Sequence, residues 1–205
     1  MKNEFNYRGL TVKIEQDEYA QSPDQWGNED TFIVYDHRSF YVECKGFNPQ
    51  DIFDHLSTGK KTYKGYHVFP LYAYIHSGVA LSLGRTQYPF NDRWDVSFKG
   101  FALVKREKGT YTHEQAVKVA QSLVDTWNMY LSGDVWTTTV ENEQGELVES
   151  CSGIYGHKYA EQEGKNMVDS YIRWSLKGHI EKLKQWIKSK VDIQYREQFK
   201  YITNQ

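Results

Sequence analysis

The chain contains few of the residues that build covalent or rigid frameworks, with two cysteines and four prolines among 205 residues. Cys44 and Cys151 are too few for a disulfide framework, and in a reducing compartment both are expected to be free thiols. The longest apolar run, residues 68–75, is interrupted by Pro70 and is far shorter than the ~20 residues of a transmembrane helix. The sequence therefore predicts no signal peptide, no membrane span and a cytoplasmic location.

The sequence also lacks the short motifs that declare a reaction. Its seven histidines include no closely spaced pair of the kind that binds a metal ion, and neither a phosphate-binding loop nor a nucleophile elbow is present. We therefore predict no metal ion and no cofactor. The sequence favours a protein that is not an enzyme, with one enzymatic alternative considered below.

Basic residues are missing from two long stretches of the chain. Residues 14–37 contain no Lys or Arg but seven acids, and residues 119–157 contain no Lys or Arg but six acids. Residues 173–200 reverse this balance with eight basic residues against three acids. Such asymmetry creates a directional electrostatic field, although acidic loops and a lysine-rich helix are also common as solvated faces.

Aromatic residues make up 16% of the chain, which favours a fold rich in β-strands or a recognition surface. Residues 10–15 alternate between apolar and polar side chains, as expected for a strand. Further strands are predicted at residues 31–35, 39–43, 66–75, 79–83, 94–104 and 135–140, with Gly100 in a bulge and a hairpin turn at residues 144–145 that leads back into residues 147–148.

Helix signals occur at three places. Asn48 followed by Pro49 begins a helix that ends near Leu56, and Thr112 with Gln115 forms a capping box ahead of a helix over residues 113–131. A helical pattern resumes from about Ala160, and Gly178 is expected to weaken or bend it. We predict an α+β fold with a mainly antiparallel sheet, a packed amphipathic helix and a C-terminal helical extension. The predicted division is residues 1–159 as the α+β domain and residues 160–205 as the extension.

Five short motifs resemble a family of uncharacterised accessory proteins carried by bacteriophages, prophages and plasmids. They are residues 22–28 (SPDQWGN), 76–78 (HSG), 94–95 (WD) followed by 100–101 (GF), 131–135 (LSGDV) and 150–156 (SCSGIYG). The resemblance spans residues 20–160 and brings no catalytic residues with it. It implies a protein of a mobile genetic element, and such accessory proteins often antagonise host defences such as CRISPR or restriction systems.

The leading hypothesis is a binding protein that inhibits a bacterial defence effector, for example a nuclease. Asp24, Glu29 and Asp30 would imitate phosphates towards a basic nucleic-acid channel, and Trp26 would act as an aromatic anchor. The oligomeric state is not predicted.

A thiol-dependent hydrolase or transferase is the enzymatic alternative. Cys151 would act as the nucleophile, His76 or His157 as the base, and Asp95 as the group that orients the base. A cysteine between two serines beside a glycine is also a common way to pack a tight turn.

Nucleic-acid binding through the C-terminal helix is a further alternative. Arg173, Lys177, Lys184 and Lys188 would contact phosphates while Trp174 and Trp186 stack on bases. The favoured interpretation of this segment is instead an amphipathic helix whose tryptophans pack on the sheet, and the sequence pI near 6.4 argues against a dedicated nucleic-acid binder.

Overall fold

A computed structural model describes residues 3–84, 96–106 and 112–192, together with Tyr195 and Gln198. It contains antiparallel sheets and three helices, which confirms the predicted α+β class. The chain forms two compact units. The first consists of Met1–Glu15, Thr137–Ile154 and Lys158–Gln205, and the second of Gln16–Trp136 and Tyr155–His157. The predicted division at residue 160 remains a prediction.

Ten strands and three helices lie in the described residues. The strands are β1 (Asn3–Tyr7), β2 (Leu10–Gln16), β3 (Thr31–His37), β4 (Phe40–Val42), β5 (Thr62–Tyr63), β6 (Tyr66–Ile75), β7 (Val79–Leu83), β8 (Val96–Lys105), β9 (Val135–Glu141) and β10 (Leu147–Tyr155). The helices are α1 (Pro49–Ser57), α2 (His113–Leu131) and α3 (His157–Lys190), and a single 3-10 turn spans Pro23–Trp26. The described part of the chain has no helix that is both long and apolar enough to cross a membrane.

The second unit is built on a six-stranded antiparallel sheet. Its strand order is β4-β3-β8-β6-β5, with β7 also paired to β6. Gly100 pairs with Leu71, whereas Phe98 pairs with the next residue along, Tyr72, so that Lys99 is one residue too many in β8. This is the bulge predicted at Gly100. A Cβ atom at Gly100 would lie 2.2 Å from the Tyr35 ring, so only glycine fits there.

Both faces of this sheet are covered. The side chains of Ile33 and Tyr35 pack with α2 in one core, and the alternate residues Phe32 and Val34 join a second core that contains Ile52 of α1. Burial on both faces explains why residues 32–35 are all apolar or aromatic rather than alternating.

The predicted caps of these two helices are confirmed. Asn48 Oδ1 accepts a hydrogen bond from the Gln50 N–H at 2.8 Å, and Pro49 occupies the first helical position. At α2 the Gln115 N–H donates to Thr112 Oγ1 at 3.3 Å, and the Thr112 N–H donates to Gln115 Oε1 at 2.8 Å. The capping box therefore starts α2 at the predicted residue.

The elements of the first unit come from both ends of the chain. A four-stranded sheet has the order β1-β2-β9-β10, and helix α3 packs Gly164 against Val12 and Thr138. Thr138 is fully buried, and its hydroxyl donates to the Ala160 carbonyl at 3.1 Å. The absence of a Cβ at Gly164 is what allows the helix to approach this closely.

The structure differs from the sequence-based predictions at strand β1 and at Gly178 in helix α3. Strand β1 was not predicted because Asn3, Glu4 and Asn6 are polar, and its pairing with β2 is what holds it extended. Helix α3 begins at His157 and continues through Gly178 without interruption, so the expected weakening at that glycine does not end the helix. A surrounding of good helix formers offsets the cost of one glycine.

Two glycines of α3 should respond to alanine in opposite directions. Gly164→Ala should destabilise the protein by about 1–3 kcal/mol, because the new Cβ would lie 2.4 Å from Val12 Cγ1. Gly178 has nothing within 4 Å of its Cβ position, and Gly178→Ala should therefore stabilise by up to about 1 kcal/mol. Urea denaturation of both variants measures the two changes, and a similar effect at both sites would contradict the packing of Gly164.

Candidate functional site

The predicted partner-binding residues lie in one short segment of the second unit, residues 23–30, which we call the acidic segment. It starts with the 3-10 turn and turns again at Gly27, whose φ of 67° is left-handed. Asp24, Trp26, Glu29 and Asp30 are all exposed. The segment leads directly into β3, so the strand fixes one of its ends.

Trp26 is held at the surface by Tyr155. The two rings meet edge to face with their centroids 4.8 Å apart, and Trp26 remains 49% exposed. The Tyr155 hydroxyl donates to the Gln21 carbonyl oxygen. Burial, and then the nearby Tyr130, Asp17 and Asp24, raise the pKa of Tyr155 to about 12. Trp26 therefore packs on Tyr155 while about half of its side chain stays open to contact by a partner.

Hydrogen bonds hold the backbone of the acidic segment in one conformation. Asn28 Oδ1 accepts from the N–H groups of Asp30 at 3.0 Å and Thr31 at 3.3 Å, and its Nδ2 donates to Thr31 Oγ1 at 2.9 Å. The Tyr66 hydroxyl donates to the Glu29 carbonyl at 2.9 Å. Neither the Asp24 nor the Glu29 carboxylate has a hydrogen bond or ion pair to any described residue. Both charges are therefore available to a partner.

Asp30 has a different environment from the other two acids. Its Oδ1 lies 2.8 Å from Lys105 Nζ, and its carbonyl accepts from the Lys105 N–H at 2.7 Å. Asp30 therefore anchors the segment to the end of β8. Its contribution to partner binding remains a prediction.

A cavity of about 370 Å³ lies beside the acidic segment, and we call it the acidic cavity. Its lining includes the carboxylates Asp24, Glu29 and Glu43, and the aromatic residues Phe47, Tyr66 and Trp127. Sequence reasoning missed Glu43, Tyr66 and Trp127 because they are far from residues 23–30 in the chain. The one sequence signal that pointed towards them was the aromatic content of the surrounding strands.

Cys44 lines the same cavity. Burial, followed by the charge of Glu29, raises the pKa of its thiol. Burial, the larger cause, disfavours the charged thiolate, so Cys44 is held in its neutral form.

Two of the three groups of the enzymatic alternative lie in the described residues. Cys151 lies on β10 in the first unit, and His76 lies in the β6–β7 turn of the second, where its N–H donates to the Gly78 carbonyl at 3.1 Å. Asp95 lies outside the described residues. Burial, and then Glu163 and Glu149, raise the pKa of Cys151. A raised pKa disfavours the thiolate that a nucleophilic cysteine needs.

Asp134 in the 131–135 motif has a structural role. Its Oδ1 accepts from Trp136 Nε1 at 2.5 Å and from the His157 N–H at 3.0 Å, and its carbonyl accepts from the Gly156 N–H at 2.8 Å. The His157 ring packs edge to face on Trp136 with centroids 4.8 Å apart. These contacts join the 131–135 motif to Gly156 at the end of the 150–156 motif, so Asp134 and Gly156 have a structural role.

The basic residues proposed for nucleic-acid contact lie on one face of α3. Arg173, Lys177, Lys184 and Lys188 are spaced by four, seven and four residues, which keeps them within roughly one sixth of the helix circumference. Lys184 pairs with Glu181 at 3.1 Å, and its side chain is only 13% exposed. Three of the four, but not Lys184, are therefore displayed to solvent.

The expected packing of the α3 tryptophans is wrong. Trp174 is 74% exposed and Trp186 is 53% exposed. Ile187 on the same helix is 1% exposed, so part of this helix is covered while the two tryptophans are not. The aromatic residues on this helix are therefore accessible, as base stacking would require.

In the described part of the chain, no three His, Cys, Asp or Glu side chains are grouped in a way that could hold a metal ion.

Comparison of the chain with family models, with curated proteins and with solved structures found no match.

The two cysteines should react slowly and at similar rates with a maleimide at pH 7, because the pKa values of both thiols are raised. Both rates should increase as the pH rises above the ordinary thiol range. Cys44→Ala and Cys151→Ala report each thiol separately. A Cys151 thiol that reacts more than tenfold faster than Cys44 at pH 7 would support the enzymatic alternative.

Tyr155 should make the protein sensitive to alkaline pH. The folded state holds the phenol proton up to a pKa of about 12, whereas the unfolded chain releases it near 10, so the free energy of unfolding should fall across this interval. Tyr155→Phe should flatten that fall and should cost about 0.5–1.5 kcal/mol at pH 7 through the lost hydrogen bond to Gln21.

Denaturation curves recorded at pH 7 to 12 provide this measurement. Tyr159→Phe is the control, because Tyr159 is exposed on α3. If the free energy of unfolding falls equally steeply with alkaline pH in the native protein and in Tyr155→Phe, the raised pKa of Tyr155 is contradicted.

Proposed function

We propose that this protein is a non-enzymatic inhibitor of a bacterial defence effector, made by a mobile genetic element and acting in the cytoplasm of the host cell. It would bind a basic surface of that effector, such as the nucleic-acid channel of a nuclease, through the acidic segment. CRISPR and restriction nucleases are the candidate targets.

The observation that carries the proposal is the combination of two unpaired carboxylates with a supported tryptophan on one fixed segment. Asp24 and Glu29 have no ion pair among the described residues, and Trp26 is about half exposed on Tyr155. The hydrogen bonds of Asn28 and Tyr66 hold the backbone before a partner arrives. A partner therefore gains these contacts without the entropy cost of ordering a loop.

Charge complementarity explains why a basic channel is the favoured target. Residues 14–37 contain no Lys or Arg that could neutralise the segment from within, although Lys105 pairs with Asp30. Carboxylates presented to a channel that binds phosphates would accelerate association and block the natural ligand. The resemblance of residues 22–28 and of the other motifs to mobile-element accessory proteins supports the biological setting.

Two alternatives stay open as predictions. The hydrolase interpretation depends on Cys151, and the raised pKa of that thiol counts against it. The nucleic-acid interpretation is favoured by the exposure of Trp174 and Trp186 on a basic helix, and it is weakened by Lys184, which is largely buried and paired.

Charge reversal in the acidic segment should abolish inhibition. We expect the native protein to raise the plating efficiency of a targeted phage on a strain with an active CRISPR or restriction system. Asp24→Lys with Glu29→Lys should lose at least tenfold of this protection, because like charges would then meet across the interface. Adding Asp30→Lys should also remove the Lys105 ion pair, so the double variant is measured separately from the triple.

The matched control reverses two exposed acids elsewhere, Glu143→Lys with Glu149→Lys, and carries the same net charge as the double variant. It should protect phage as well as the native protein does. Equal protection by both double variants would exclude the acidic segment, and no protection by the native protein against any tested system would contradict the proposed function. Capture of a partner from lysate that is lost after nuclease treatment would favour the nucleic-acid alternative.

A further inference from the structure

The lining of the acidic cavity carries an excess of negative charge. It includes the carboxylates of Asp24, Glu29 and Glu43, and Lys45 is the single basic residue that the described lining contains. A volume of about 370 Å³ is in the range of cavities that bind small ligands or side chains. Its electrostatic complement is a cation.

One wall of the cavity is a cluster of three aromatic rings. The Phe32 ring lies 5.0 Å from Phe47 and 5.3 Å from Tyr66, and the Phe47 and Tyr66 rings are also 5.3 Å apart, all near edge to face. A cation already approaches this cluster, because Lys64 Nζ lies 5.3 Å from the Phe47 centroid. Aromatic faces attract cations, and they stack well with the planar guanidinium group.

Trp127 supplies an independent sign that the cavity takes a ligand. This residue lines the cavity and is only 3% exposed, yet its indole N–H has no hydrogen-bond partner among the described residues. A buried donor without a partner costs folding free energy, and native structures contain few of them. A ligand that brings a carbonyl oxygen to Trp127 would remove that cost.

We propose that the acidic cavity binds an arginine residue of the partner, with its guanidinium group between the carboxylates and the aromatic wall. A peptide carbonyl of the same segment accepts the Trp127 N–H. Arginine is favoured over lysine because its forked donors pair with carboxylates and its plane stacks on rings, whereas the ammonium group is compact and more strongly hydrated. The inference rests on the proposed function, which supplies the basic partner.

The test follows the Trp127 indole resonance in full-length protein labelled with nitrogen-15 at tryptophan, with Trp127→Phe identifying the signal. The probe is N-acetyl-arginine N-methylamide, which carries both a guanidinium group and peptide carbonyls. We expect a saturable shift of the Trp127 signal, with a dissociation constant on the order of 1 mM for so small a ligand. The signals of Trp174 and Trp186, which lie in the other unit, should not move.

Analogues and variants define what the cavity recognises. The citrulline analogue, which is neutral and similar in shape, should give no shift, and the lysine analogue should bind several-fold more weakly. Glu29→Gln with Glu43→Gln should weaken arginine binding at least tenfold, whereas Glu114→Gln with Glu149→Gln should leave it unchanged. A native protein that shows no shift, or that binds the citrulline analogue equally well, would overturn the proposal, and equal binding of lysine would overturn the choice of arginine.

The same variants separate this inference from the proposed function. If the probe fails to bind but the native protein protects phage in a manner that depends on Asp24 and Glu29, the cavity inference fails and the inhibitor proposal stands. If the probe binds as expected and no defence system is inhibited, the cavity inference stands and the inhibitor proposal fails.

Discussion

The architecture of the second unit depends on the burial of β3 on both faces. Phe32, Ile33, Val34 and Tyr35 are all buried, and they point alternately into the two cores on either side of the sheet. Burial of four such side chains is worth roughly 6–12 kcal/mol before the entropy cost of ordering the chain. A slip by one residue would exchange these side chains between the two cores and disturb the packing of both. The acidic segment is thereby positioned, because it ends where β3 begins.

A rigid strand beside a charged loop gives the candidate site its character. Hydrogen bonds from the loop backbone to Asn28 and from Tyr66 to the loop backbone do not use the Asp24 and Glu29 carboxylates. Both of these side chains face solvent. Charges held in this way contribute little to folding, because exposed carboxylates keep their water. Under the proposed function they would act in recognition, where a partner of opposite charge replaces that water. In the proposed complex, Trp26 and the aromatic wall of the cavity would add apolar contacts to the charged ones.

Local signals predicted most of the fold. The capping box at Thr112 and the apolar stripe behind it define α2 to the residue, and Asn48-Pro49 defines the start of α1, because caps and helical periodicity act within a few residues. The acidic segment is also recognisable in the sequence, because its acids and the nearby tryptophan are neighbours in the chain. Strand β1 escaped notice, because its extended form depends on pairing with β2 rather than on its own side chains.

The sequence by itself determined the fold class, the main helices and strands, and the presence of an acidic segment beside Trp26. Only the tertiary structure decided that Glu43, Tyr66 and Trp127 join that segment around one cavity, that Asp30 is engaged by Lys105, and that Trp174 and Trp186 are exposed. The physical reason is the distance along the chain over which each kind of interaction acts. Caps, periodicity and charge runs are properties of neighbouring residues, whereas a cavity or an exposed face is created by packing between residues that the chain keeps far apart.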